Sequence, residues 1–313
     1  MYWHENQFEY PNKKAHYIGF KELQNFISSD VNIFNSNFHR DDFYKKAKKE
    51  LKKFNLNDLY VVLEKKYNSS FIVYPGFDMK NIDNQLSTCR DDGIASSLHQ
   101  DGIASFGNLS QGNLSQGNLS QGNLSQGNLS QGNALAVREE NKIILWNHRW
   151  SKDKDYFMFF SMMRNLKKNG YKFKLNIFGE TVLANNDDFI YFKKQMGDYI
   201  NKFGFLSSKL EYYKEVSKSD IVISTAIEEN FGISIVESMY LGATPILPNR
   251  LSYPELIPIK YHNDILYNSY DDALFKIKYI LNNNKYLNLS DYMNKYDIRE
   301  SINQLNEIIK NLH

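Results

Sequence analysis

"STAIEENFGISIVE", Ser224–Glu237, decides the fold. The residues before it, "DIVISTA" (220–226), read as a buried strand. The residues inside it, from Phe231 on, carry apolar side chains at helical spacing as far as Gly242. The next run, "TPILP" (244–248), is a strand again. Strand, loop, helix and strand make one βαβ unit. The same alternation spreads outward over 139–313. "KIILWNHR" (142–149) and "FKLNIFG" (173–179) are strands, and "DYFMFFSMMRNLKKNG" (155–170), "DFIYFKKQMGDYINKFG" (188–204) and "LEYYKEVSKS" (210–219) are helices. Two amphipathic stretches follow residue 268. The expected class is α/β, a parallel sheet covered on both faces, with its ligand crevice beyond the carboxyl ends of the strands.

Three stretches fall where that ligand would sit. In "WNHRWSKDK", Arg149 ends a strand and Lys154 follows five residues later. A guanidinium fork and an ammonium on one loop suit a diphosphate; a solvated surface loop fits the pair equally well. In "NIFGE", Gly179 permits close approach of a ligand and Glu180 follows it, although a simple turn accounts for both. In the opening stretch, seven residues separate Glu229, in the loop, from Glu237, about two turns into the helix. Gly232 stands near the helix start, where free N–H groups favour phosphate. On periodicity Glu237 is an exposed helix position. Its neighbours Ile233, Ile235, Val236 and Met239 are apolar, so its carboxylate needs a partner.

Upstream lie two other zones. Residues 1–83 show a short βα alternation with strands at "DVNIFNS" and "SFIVYPG" and a basic helix, "HRDDFYKKAKKELKKF". That helix carries Lys45, Lys46, Lys48, Lys49, Lys52 and Lys53, for which a solvated face is at least as good a reading as a contact with phosphates. Residues 84–138 are of low complexity: "DGIAS" occurs twice and "GNLSQ" five times from Gly107 to Gln131. Five such repeats give little more than one solenoid coil, so the segment reads as a linker.

Composition sets the outer limits. With 38 basic and 36 acidic residues, net charge alone does not mark a nucleic-acid binder. One cysteine, Cys89, excludes a disulfide framework. No apolar run is long enough to span a membrane and no secretory leader is present, so a cytoplasmic protein is expected.

The glutamate pair on a strand–loop–helix, together with Arg149 and Lys154, resembles the donor domain of retaining glycosyltransferases with two facing Rossmann-like domains, the GT-B type. "WNHRWSKDKD", "STAIEENFG", "PNRLSYPEL", "HENQFEYP" and "FNSNFHRDDF" resemble the tRNA-queuosine α-mannosyltransferase family more narrowly. That resemblance implies transfer of mannose from GDP-mannose to the cyclopentenediol of queuosine in tRNA-Asp, with no metal and no membrane. It implies that Arg149 and Lys154 meet the diphosphate, and that the backbone at Phe231 and Gly232 donates to phosphate. Glu237 would accept from ribose hydroxyls. Glu229 would orient the transferred sugar, and His4 would face that sugar from the other domain. Asn249, Arg250, Tyr253 and Glu255 match the family but acquire no role. Phe205 and Leu206 stand where a base could stack. A polysaccharide or lipid acceptor, or an inactive nucleotide-sugar-binding fragment, are the alternatives.

The resemblance also places several βα units before "HENQ" (4–7). The expectation is therefore an incomplete N-terminal domain over 1–83 and a complete donor domain over 139–313. "VNIFNS" would have an unpaired edge, and His4 little to hold it. A split gene, a separate chain supplying the missing half, or a decayed fragment each fit that expectation.

Overall fold

The computed structural model describes residues 1–4, 15–87, 142–179 and 187–312. The repeat segment and Glu180 lie outside them. Two parallel sheets organise the chain. The smaller has three two-residue strands, β1 (Tyr2–Trp3), β2 (Ile33–Phe34) and β3 (Phe71–Ile72), in the order β1-β2-β3. Around them lie α1 (Ala15–Ser28), α2 (Asn37–Lys53), α3 (Tyr60–Asn68) and α4 (Met79–Ser87). Residues 84–87, read as the start of the linker, are the end of α4.

The expectation of an unpaired edge on "VNIFNS" is corrected. Ile33 pairs with Tyr2 on one side and with Phe71 on the other. The edges of the sheet are β1 and β3. Residues as close to the start as Tyr2 and Trp3 gave no periodicity from which a strand could be read. Trp3 anchors the layer: its ring is buried against Phe26, Phe34 and Phe43, and its Nε1 donates to Asn32 Oδ1 at 2.9 Å.

The larger sheet has strands β4 (Lys142–Asn147), β5 (Phe173–Phe178), β6 (Ile200–Gly204), β7 (Ile221–Ile223), β8 (Thr244–Pro248) and β9 (Leu266–Tyr267). Their order is β6-β5-β4-β7-β8-β9, all parallel. Helices α5 (Tyr156–Lys168), α6 (Asp187–Met196), α7 (Lys209–Ser217), α8 (Ile233–Tyr240), α9 (Tyr253–Leu256), α10 (His262–Ile265) and α11 (Tyr270–Asn283) connect or cover these strands. Apolar clusters lie on both faces of the sheet, as a doubly wound architecture requires. The helix expected over 188–204 is also corrected. It stops at Met196, Gly197 has a φ of +54° that a helix cannot continue, and 200–204 is the edge strand β6.

The last helix, α12 (Ile298–Lys310), returns to the small sheet. Ile308 joins Ile33 and Val73 in one cluster, and Ser301 Oγ donates to the Tyr74 carbonyl at 2.7 Å. Among the described residues, no helix is long and apolar enough to cross a membrane.

Candidate active site

Strand order reverses between β4 and β7, so the loops that leave their carboxyl ends run apart and leave a crevice. Arg149 and Lys154 follow β4, which ends at Asn147 rather than at Arg149. Glu229, Phe231 and Gly232 follow β7, and Glu237 is little more than one turn into α8 rather than two. The topology thus brings the two motifs to one place.

The two loops are joined by hydrogen bonds. Thr225 Oγ1 donates to the Lys154 carbonyl at 2.7 Å, and the Ile227 N–H donates to the Asp153 carbonyl at 2.8 Å. Lys154 Nζ crosses the gap to the Glu228 carbonyl at 2.6 Å and to Glu229 Oε2 at 3.2 Å. Its ammonium also lies 3.3 Å from Asp153 Oδ2, the same oxygen that the Arg149 guanidinium meets at 3.3 Å. Burial pushes the Asp153 carboxyl up. The Ser151 hydroxyl and the charges of Lys154 and Arg149 outweigh that and hold it below the ordinary value. The loop therefore presents two fixed cations whose counter-charges are on the protein.

Gly232 caps α8 with a φ of +93°, and a Cβ there would lie 3.1 Å from the Tyr253 ring. Only glycine fits that turn. The neighbouring Phe231 N–H donates to Glu229 Oε1 at 3.3 Å. The close approach that Gly179 permits is to protein: a Cβ would stand 2.0 Å from the His148 carbonyl.

Glu237 has a partner, as its apolar flanks required. Tyr212 Oη donates to Glu237 Oε2 at 3.4 Å and accepts from Asn147 Nδ2 at 2.9 Å. Asn147 is itself fixed on Ser238 Oγ. Burial raises the Glu237 pKa to about 7, against the nearby Lys209 charge and the Tyr212 and Tyr213 hydroxyls, which lower it. Ile233, counted among the apolar flanks, is exposed. The sequence reading missed Tyr212 and Asn147. Asn147 was visible as the polar end of a buried strand.

From the opposite side, the His4 carbonyl accepts from Asn35 Nδ2 at 3.0 Å and from Asn230 Nδ2 at 3.4 Å. The exposed His4 ring rests edge-on against Tyr2 at 4.8 Å. The expectation that His4 has little to hold it is thereby corrected: strand pairing precedes it and both domains grip its carbonyl. Beside it Glu255 acquires a role. Its carboxylate accepts from the Asn37 N–H at 3.0 Å and the Phe38 N–H at 2.6 Å, capping α2 from the other domain. Tyr253 Oη shares a hydrogen with Ser224 Oγ at 2.6 Å, and Arg250 donates to the Ala226 carbonyl at 3.0 Å. Both shape the β7 loop.

Residues 130–299, more than half of the chain, match the sequence model of the glycosyl transferases group 1 family. The chain belongs to that family. Residues 1–77 of this group 1 glycosyltransferase match a second model, tRNA-queuosine alpha-mannosyltransferase N-terminal. A Drosophila melanogaster protein named tRNA-queuosine alpha-mannosyltransferase is 26% identical over 283 residues, 89% of this chain. The chain spans 63% of that relative's length. Among solved structures, HepE of Anabaena, crystallised with UDP and glucose, superposes with a TM-score of 0.61 at 13% identity, covering 99% of this chain and 70% of HepE. A sucrose-phosphate synthase of Thermosynechococcus elongatus superposes at 0.62 and 12% identity, covering 99% and 67%. These likenesses show the GT-B fold. The two family matches and the Drosophila relative bear out the family resemblance read from the motifs.

Proposed function

We propose that this glycosyltransferase takes mannose from GDP-mannose and transfers it, with retention, to the cyclopentenediol of queuosine in tRNA-Asp. The observation that carries the reading is Lys154 bridging to Glu229 across the sheet reversal, with the half-buried Glu237 on the helix that follows. The names of the N-terminal family model and of the Drosophila relative support the sugar and the acceptor.

In this reading the sugar–phosphate bond breaks as the acceptor hydroxyl attacks the anomeric carbon, and negative charge builds on the departing diphosphate. Arg149 and Lys154 are pre-placed to receive that charge, so little reorganisation is required during the reaction and no metal is needed for it. Glu229, oriented by Lys154 and the Phe231 N–H, accepts from sugar hydroxyls. Glu237 accepts from the ribose. Phe205, exposed just beyond β6, offers a face to the base. His4 faces the sugar from the small domain. The acceptor hydroxyl enters on the face that the diphosphate leaves and gives its proton to that diphosphate, so retention requires no protein nucleophile.

Calorimetric titration of the 313-residue chain with GDP-mannose, GDP, UDP-glucose and UDP tests the donor half. Selective binding of the guanosine compounds, lost in Glu237→Ala, is expected. Mannosyl transfer to queuosine-containing tRNA tests the acceptor half. Preference for the uridine compounds would overturn the donor assignment.

A further inference from the structure

The small domain carries a feature that the donor chemistry does not use. On α2, Arg40, Tyr44 and Lys48 recur every four residues and so share one face. Arg40 Cζ stands 4.8 Å above the Tyr67 ring of α3, and the Tyr67 and Tyr44 rings meet at 4.4 Å. Lys48 Nζ lies 5.8 Å from both the Tyr44 and the Tyr60 rings. Cations and aromatic rings thus alternate along a continuous stripe. Lys45, Lys49 and Lys52 flank it, exposed.

Asp41 tempers the near end. It pairs with Arg40 at 3.1 Å and accepts from Tyr67 Oη at 2.7 Å, which fixes both rather than removing them. The span from Asn37 to Asn68 still has nine basic and five acidic residues, a net of +4 in a chain whose total is +2. Positive charge is therefore concentrated here and absent in net from the rest.

The stripe also has a direction. It starts at the α2 N-terminus, where Glu255 holds Asn37 and Phe38, and where Ser36 Oγ donates to the Asn230 carbonyl at 2.5 Å, beside His4. From there Arg40 to Lys48 runs about 12 Å away from the crevice, room for about three phosphates of one strand. Aromatic planes interleaved with cations suit a polynucleotide: rings take bases and cations take phosphates.

We propose that the Arg40–Tyr44–Lys48 stripe is the docking track for the acceptor RNA, leading its reactive base to the crevice. This rests on the tRNA reading above. The cations parked on the tyrosine rings move to phosphates when the strand arrives.

Fluorescence anisotropy with queuosine-containing tRNA tests it. The chain is compared, over a salt series, with Lys45→Gln/Lys48→Gln/Lys52→Gln and with a control, Lys168→Gln/Lys218→Gln/Lys310→Gln, that removes equal charge elsewhere. The stripe variant should bind tRNA at least about tenfold more weakly at low salt, with a salt slope shallower by about two. The control variant should bind like the parent chain, and all three should bind GDP-mannose alike. Equal loss in both variants, or none in the stripe variant, would overturn the track and leave the acceptor reading intact. No tRNA binding by a chain that still binds GDP-mannose would overturn both. Capture of the chain by anionic lipid vesicles in place of tRNA would overturn the RNA assignment.

Discussion

The two sheets solve the same packing problem at different scales. The large sheet has six strands, and its neighbours β4 and β5 match over six residues. The small sheet has three strands of two residues each. So few ladder bonds cannot hold a layer by themselves, and a short sheet depends on what packs against it. Here that is an aromatic cluster beneath, α12 on one face and the Glu255 cap at one end. The donor half is built by its own strands; the small half is built largely by side chains and by loans from its neighbour.

Trp3→Ala breaks that asymmetry hardest. Emptying a buried indole costs about 3–5 kcal/mol, and this one also orphans Asn32 Oδ1. Hydrogen exchange should show β1, β2 and α2 losing protection while β4, β5 and β7 keep theirs, and GDP-mannose affinity should fall little. Equal loss in both sheets would mean that they fold as one unit.

Glu237→Gln sharpens the comparison from the donor side. The folded pKa near 7 lies above the ordinary 4.5. Between these values the native state binds more protons than the unfolded chain, so stability falls as pH rises. Above pH 7 the full penalty applies, on the order of 2 kcal/mol given partial exposure. The variant should therefore melt higher than the parent at pH 8 while losing donor affinity. His148 has the opposite sign. Its buried imidazole, pushed down to about 3 from 6.5, stays neutral, so the unfolded chain binds more protons between those values and stability falls as pH falls. From pH 4.5 to 6.5 the two slopes oppose, each at most about 1.4 kcal/mol per unit. In Glu237→Gln the acid sensitivity should begin near pH 6.5 instead of near 4.5, read from denaturant melts at half-unit steps. Donor binding by the parent at pH 6 should release a proton, visible as a buffer-dependent heat.

The legibility of the sequence follows the same division. β4, β5, β7 and β8 are apolar runs with helices of clear period between them, so the α/β class could be read directly, whereas the strand order and the contact of Lys154 with Glu229 came only with the structure. β6 could not, because "INKFG" continues the pattern of the helix before it until Gly197 turns the chain. β1 and β9, two residues each, are too short to show any period. Glu255 gave no local signal at all. Its partners are the backbone N–H groups of residues more than two hundred positions away, and Ser36 already gives α2 its usual N-cap mark, so nothing local called for a second cap.

That cap gives the smallest expected effect. Glu255→Ala should cost about 1–2 kcal/mol, the worth of a charged N-cap whose donors are partly buried. Ser36 Oγ still accepts from the His39 N–H at 3.0 Å, so α2 keeps one native cap and should not unravel. The loss should fall on the Asn37 and Phe38 amides, whose exchange should speed while that of β2 does not. Glu255→Gln removes the charge and keeps one acceptor. The carboxylate takes the Asn37 and Phe38 N–H groups on separate oxygens, whereas an amide has a single accepting oxygen and no charge to set against the helix dipole. If Gln restores most of the protection, geometry holds the domains together at this point. If it restores little, salt separates the lost charge from the lost acceptor: an electrostatic seam should loosen the same two amides when salt is raised on the parent chain, and a hydrogen-bonded one should not.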